Sequence, residues 1–218
     1  MTVLKLGGSV IFEDNRIASE RVLEIVQVIS DHSSTINGIV VGGGDLARQY
    51  IRVGKNRGLN SDELDWMGIN ATHSNAKFVN QLLDEEYEFR SELADVNRGD
   101  DIITGGTKPG HTTDAVSVML AEKVGSDNVY SLSDIDGIYD TRDCSLEDAD
   151  RIDSATVGDV KKIIQDQSDS PGRSIPIDRV AVDRIADTGI TFTMFDGTNS
   201  ENLENVLKGV SVGTTINP

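Results

Sequence analysis

The residues in this chain best suited to chemistry sit in short glycine-rich turns, each directly after a run of β-branched side chains. The first turn is Lys5-Leu6-Gly7-Gly8-Ser9. Paired glycines let the backbone turn tightly and bring its N–H groups close to a phosphate, and Lys5 adds a movable positive charge at the same strand end. The G-x-x-x-x-G-K-[ST] spacing of a P-loop is absent, and read alone the segment also suits a plain strand-to-loop turn. The third turn, Gly105-Gly106-Thr107-Lys108-Pro109-Gly110-His111-Thr112-Thr113-Asp114, is the most informative. Its glycines, threonine hydroxyls, lysine and histidine precede a helical pattern and form a dense set of donors for an anion at a helix N-terminus. A plain turn with Thr112 or Thr113 as N-cap does not account for the lysine, histidine and proline together.

Two further turns complete the set. Val41-Gly42-Gly43-Gly44 runs into a helical pattern carrying Arg48. Gly42 to Ala47 satisfies the G-x-G-x-x-A dinucleotide fingerprint, but no acidic residue closes a strand about 20 residues later, which disfavours a dehydrogenase. The fourth segment, Ser131 to Tyr139, puts Ser133, Asp134 and Asp136 just past a strand end. Asp134 is suited to orient Lys5 or to help hold Mg²⁺ between phosphates, and Tyr139 to pack on a base. Asp136-Gly137 is equally an ordinary turn signal. The three histidines have neither H-x-x-x-H spacing nor a nearby cysteine, so no zinc site is expected, and His32 reads as a structural residue at a helix end.

These turns need a sheet to align them. Short β-branched runs (TVLKL, INGIVV, DIIT, NVYSL, ITFTMF) alternate with helical patterns, the order of a mostly parallel, doubly wound sheet with helices on both faces. In such a sheet ligands sit beyond the carboxyl ends of the strands, where all the turns fall. A helical stretch from about Ser61 to Glu88 is expected to be a hairpin of two helices broken near Gly68 to Thr72. The Asp-rich segment from Asp140 to Ser154 reads as a loop excursion, and 168–174 as a flexible connection.

The chain's 218 residues suit one domain spanning 1–218. No apolar run approaches the roughly 20 residues of a membrane span, and the start lacks the apolar core of a signal peptide, so a cytoplasmic protein is expected. The single cysteine, Cys144, has no disulfide partner and reads as a surface thiol. A formal net charge of −17, with 25 Asp against 12 Glu and 12 Arg against 8 Lys, disfavours nucleic acid and acidic membranes as partners. The scattered acids suggest a solvated surface suited to high salt; an ordinary acidic protein is the alternative.

With the turns in this order, the chain resembles the amino acid kinase superfamily and, within it, the archaeal type of UMP kinase. KLGGS, VVGGGDLAR, GGTKPGHTTDAVS and SDIDGIYD resemble that family's motifs, as do DWMGINATHSNA, PIDRVAVDRIADTGI and the terminal GTTI. The resemblance implies a three-layer αβα sandwich with a mostly parallel open sheet, the amino acid kinase or carbamate kinase-like fold. It also implies transfer of the γ-phosphoryl group of ATP to UMP with Mg²⁺, and a homohexamer built as a trimer of dimers. The acceptor nucleotide would lie mainly on 1–125 and ATP mainly on 126–218. Carried over by motif, Lys5, Leu6, Gly7, Gly8 and Ser9 would hold the ATP phosphates, with Gly44, Arg48, Ser133, Asp134, Tyr139 and Asp143 completing that site. Gly43, Asp65, Thr107, Lys108, Pro109, Gly110, His111, Thr112 and Thr113 would bind UMP, and Lys5 and Asp134 would be catalytic. No protein side chain is assigned as a metal ligand. The chain departs from the family pattern at Arg142, where an ATP-contacting aspartate is usual, at His73, where arginine is common, and at Asp134, where asparagine is frequent. Another phosphate-accepting kinase of the superfamily, or a non-catalytic nucleotide-binding protein on the same fold, remains the alternative.

Overall fold

A computed structural model describes residues 1–140, 150–168 and 177–218. In chain order the elements begin with β1 (Thr2–Leu6), α1 (Gly8–Ile11), the hairpin strands β2 (Phe12–Glu13) and β3 (Arg16–Ile17), and α2 (Ser19–Asp31). They continue through β4 (Ile36–Val41), α3 (Gly44–Arg57), α4 (Ser61–Leu82), β5 (Glu88–Phe89), β6 (Ile102–Thr104), α5 (Thr113–Val124) and β7 (Asn128–Ser133). The remainder is β8 (Ile138–Tyr139), β9 (Arg151–Ile152), β10 (Ser154–Thr156), α6 (Val157–Ser168), α7 (Arg179–Thr188), β11 (Thr191–Asp196), α8 (Ser200–Leu207) and β12 (Thr214–Asn217).

Eight strands form one sheet in the order β10-β12-β11-β7-β1-β4-β6-β5. Neighbours are parallel except for the antiparallel pair β11–β12. Both faces of the central strands are buried, as parallel strands under helices require. Val3, Val40, Ile102, Val129 and Phe192 point into a core completed by α5, α6 and α7. Leu4, Val41, Ile103, Leu132 and Phe195 point into a second core, completed by α2, α4 and α8. The result is the expected three-layer αβα sandwich.

Two expectations need correction. The stretch after Ser61 is one unbroken helix of 22 residues, not a broken hairpin. Its start is fixed by a capping box, with Asn60 Oδ1 accepting from Glu63 N and Glu63 Oε2 accepting from Asn60 N. Gly68 weakens helix propensity by about 1 kcal/mol. It faces α3, however, where a methyl group would meet Ile51 Cδ1 at 3.4 Å, so packing against α3 outweighs that local cost. The excursion expected from Asp140 to Ser154 lies largely outside the described residues, and its described end carries β9 and the first residue of β10. Arg142, Asp143 and Cys144, and most of the 168–174 connection, also lie outside the described residues.

Candidate active site

β7, β1, β4 and β6 are consecutive neighbours in the sheet, so the turns that follow them lie side by side along its carboxyl edge. Their backbones are in direct contact. Gly7 N donates to Leu132 O at 2.8 Å, and Gly42 N donates to Leu6 O at 2.8 Å. A methyl at Gly8 would lie 2.0 Å from Gly44 N, and one at Gly7 would lie 2.6 Å from Leu132 O. Glycine is required here by the close approach of two backbone segments. Asn75 of α4 braces the second turn, donating to Gly42 O at 2.8 Å and Gly43 O at 3.2 Å.

Lys5 emerges from β1 on the α5 face. Its Nζ lies 3.0 Å from Oδ1 of Asp114 in the first turn of α5, with the two side chains only 12% and 16% exposed. The contact is electrostatic and out of line for a hydrogen bond. Asp114, which closes the third glycine-rich turn, therefore takes the place expected for Asp134. Asp134 instead accepts from Ser9 Oγ at 3.0 Å and Ser133 Oγ at 3.3 Å.

The third turn is pinned from two sides. From α4, Thr72 Oγ1 accepts from Gly106 N at 2.7 Å, His73 Nε2 donates to Gly106 O at 2.7 Å, and Asp65 Oδ2 accepts from Gly110 N at 3.0 Å. A methyl at Gly105 would lie 2.3 Å from Thr72 Oγ1, so the turn and helix interlock. From α7, the N-cap residue Asp178 accepts from Thr112 Oγ1 while its other oxygen accepts from Val180 N at 2.8 Å and Ala181 N at 3.1 Å. Thr112 is itself the N-cap of α5, accepting from Ala115 N at 3.1 Å.

Two cavities share Arg48 of α3. The larger, about 470 Å³, is lined by Gly43, Asp65, Lys108, Gly110, His111, Thr112 and Thr113, all expected at the UMP site. Gly44 and Arg48, expected on the ATP side, line it as well. The smaller, about 350 Å³, is lined by Ser9, Asp134 and Arg48 together with Asp45 and the hairpin residues Glu13, Asp14 and Asn15. Arg48 thus stands between the two. Thr107, Pro109, Leu6, Gly7, Gly8, Lys5, Ser133 and Tyr139 line neither cavity. The Tyr139 hydroxyl donates to Asp136 Oδ1 at 2.9 Å.

Burial pushes the pKa of His73 below the ordinary histidine value, and burial followed by the nearby Lys108 and Arg184 charges does the same for His111. Arg48 and Lys108 are the arginine and lysine side chains that line the larger cavity. Asp114, Asp45, Thr72, Asn75 and Asp178 were not singled out from the sequence. All five lie inside the motif segments quoted above, and what distinguishes them there is their contacts.

The profile of the amino acid kinase family matches residues 1–100 and 96–196. The uridylate kinase of Halorubrum lacusprofundi is 32% identical over 226 residues, covering 99% of this chain and 92% of the relative. The uridylate kinase of Methanocaldococcus jannaschii is 33% identical over 223 residues, covering 98% of each chain. The crystal structure of uridylate kinase from Archaeoglobus fulgidus matches with a TM-score of 0.82 at 30% identity, covering 99% of both chains. Likeness in sequence and in fold extends over nearly the whole length, and the chain belongs to the amino acid kinase family.

Proposed function

We propose that this protein is a UMP kinase, transferring the γ-phosphoryl group of ATP to UMP to give UDP and ADP in pyrimidine nucleotide synthesis. The observation that carries the reading is Arg48, a cation shared by the walls of two cavities with different linings. Full-length relatives that bear the name uridylate kinase support the choice of acceptor.

In this reading UMP occupies the larger cavity. Gly43, Gly44 and Arg48 meet its phosphate, Asp65 meets the ribose, and the turn from Thr107 to Thr113 encloses the base. ATP lies over Lys5 to Ser9 with Ser133, Asp134 and Tyr139 beside it, and Asp143 completes that side. An oxygen of the UMP phosphate attacks the γ-phosphorus while the bond to the β–γ bridging oxygen of ATP breaks and ADP departs. The nucleophile is already anionic, so no strong general base is required. The barrier comes from bringing two anions together, and Lys5, Arg48 and the backbone N–H groups of the glycine turns lower it by neutralising charge in a fixed geometry. Asp114 holds the Lys5 ammonium at the strand end, and an ammonium with three protons keeps donors for the phosphate beside that contact.

The donor set of the smaller cavity fits Mg²⁺ brought by ATP. That ion keeps several waters and uses one or two carboxylates plus substrate phosphates, and Asp134 with the Ser9 hydroxyl offers such a partial set. Bound there, Mg²⁺ would supply positive charge against the phosphates of the donor nucleotide.

The finer features of the reading are a single catalytic unit over 1–218, a cytoplasmic location, and a hexamer built as a trimer of dimers. The acceptor lies mainly on 1–125 and ATP mainly on 126–218. Exposed Tyr50, Val53 and Trp66 on α3 and α4 supply apolar surface for a subunit contact. The net charge of −17 suits a surface that works at high salt. The test is ADP production with Mg-ATP and a panel of UMP, CMP, isopentenyl phosphate and acetylglutamate, run across KCl concentrations. UMP is expected to give the highest kcat/KM, and preference for another acceptor overturns the reading.

A further inference from the structure

Arg48 is useful between two anions only if its long side chain is held there, and its own packing does not hold it. The side chain is 67% exposed. Its Nε donates to Asp45 Oδ1 at 3.1 Å and its Nη2 donates to the same oxygen at 2.6 Å. Asp45, one turn earlier on α3, is only 14% exposed, and its second oxygen accepts from Asn15 N at 2.9 Å. Asn15 is at the tip of the β2–β3 hairpin, where Asp14 and Asn15 have φ of 49° and 62°. Arg21 independently ties the first strand of that hairpin to α1, donating to Ser9 O at 3.1 Å and to Glu13 Oε2 at 2.8 Å. Each oxygen of Asp45 therefore has its own task.

We propose that Asp45 is a positioning residue for Arg48: one carboxylate oxygen fixes the guanidinium on the wall shared by the two cavities, and the other anchors that arrangement to the tip of the β2–β3 hairpin. An ion pair whose cation stands largely in solvent contributes little to stability, so its consequence lies in geometry rather than in folding. Orientation is where such a contact has leverage, because a displacement of about 1 Å in a group that neutralises a transferring phosphate can cost on the order of 100-fold in rate. Asp45 also stands in the first turn of α3, where any carboxylate favours the helix, and the test must separate the two roles.

The inference rests on the phosphoryl-transfer reading above. The experiment is a double-mutant cycle on the full chain: wild type, Asp45→Asn, Arg48→Ala and the double variant, each assayed for UDP formation from Mg-ATP and UMP. Asp45→Asn is expected to lower kcat/KM for UMP about 10-fold and Arg48→Ala about 100-fold, with the double variant within about twofold of Arg48→Ala. A merely helix-stabilising Asp45 would instead give effects that multiply. That result, or an Asp45→Asn enzyme within twofold of wild type, overturns the proposal. Thermal melts check that each variant folds; if Asp45→Asn does not, Asp45→Glu carries the same cycle, with the same dependence on Arg48 expected. A wild type that forms no UDP overturns the phosphoryl-transfer reading itself and this proposal with it, whereas an active wild type with multiplying effects removes only the role of Asp45.

Discussion

Lys5 Nζ and Asp114 Oδ1 stand 3.0 Å apart across the junction of β1 and the first turn of α5. Both side chains are largely buried, and the lysine thereby acquires a fixed place at the strand end. Lys5→Ala removes a cation from the transferring group and is expected to lower kcat at least about 100-fold while KM for UMP changes less than about threefold. Asp114→Asn keeps the shape, frees the ammonium and is expected to lower kcat about 10-fold. Steady-state kinetics with varied UMP separates the two parameters, and an unchanged kcat for Lys5→Ala removes that residue from the chemistry.

The contact of the first two glycine turns makes a prediction about folding. A methyl at Gly8 would lie 2.0 Å from Gly44 N and 2.2 Å from Gly44 Cα, both backbone atoms that no side-chain rotation can move. Gly8→Ala is expected to cost about 3 kcal/mol, at the upper end for overpacking, which lowers the melting temperature by roughly 6–12 °C for a chain of this size. Gly158→Ala is the control. A methyl there meets nothing closer than Thr156 Oγ1 at 3.5 Å, and its melting temperature is expected to match or slightly exceed that of wild type.

Much of this arrangement can be read from residue order. The runs TVLKL, INGIVV, DIIT, NVYSL and ITFTMF are strands because their β-branched residues suit a sheet buried on both faces, and the glycines after four of them mark its carboxyl edge. Long-range geometry is less legible. The partner of Lys5 depends on how α5 returns over β1, so Asp114 and Asp134, both just beyond strand or loop ends, cannot be told apart by spacing. Gly68 reads as a helix break because local propensity does not register the packing of α4 against α3. Asp45 stays hidden because its significance lies in a hairpin tip 30 residues earlier. The two-residue strands of that hairpin leave too short a pattern to recognise.

Asp178 joins the turn from Gly105 to Asp114 to the start of α7. Asp178→Ala removes the cap of α7 and the acceptor for Thr112 Oγ1 together. The cap alone is worth about 1 kcal/mol, so a melting temperature lower by roughly 2–4 °C is expected. Because Thr112 lines the larger cavity, KM for UMP is expected to rise several-fold with a smaller change in kcat. A variant with the lower melting temperature and unchanged KM shows that Asp178 only caps its helix.

Histidine burial predicts how stability depends on pH. His73 and His111 are held below the ordinary value of 6.5, so the unfolded chain binds protons more readily than the folded one. Stability from these two groups is complete above about pH 6.5 and declines as pH falls through that value toward their folded pKa. The carboxylates with lowered pKa, Asp45, Asp159 and Glu204, stabilise the fold fully above about pH 4.5 and lose that contribution as pH falls below it, outside the histidine range. Melting temperatures between pH 7.5 and pH 5.5 are expected to fall. His73→Gln, which preserves a donor for Gly106 O, should flatten that slope; an identical slope would show that His73 titrates alike in both states.

The most direct test of the central claim is transfer of labelled γ-phosphoryl from ATP to UMP by the purified full chain with Mg²⁺. Labelled UDP is expected with equimolar ADP, and that product is expected to be lost in Lys5→Ala. Binding of ATP and UMP without labelled UDP, or label transferred to another acceptor in preference to UMP, contradicts it.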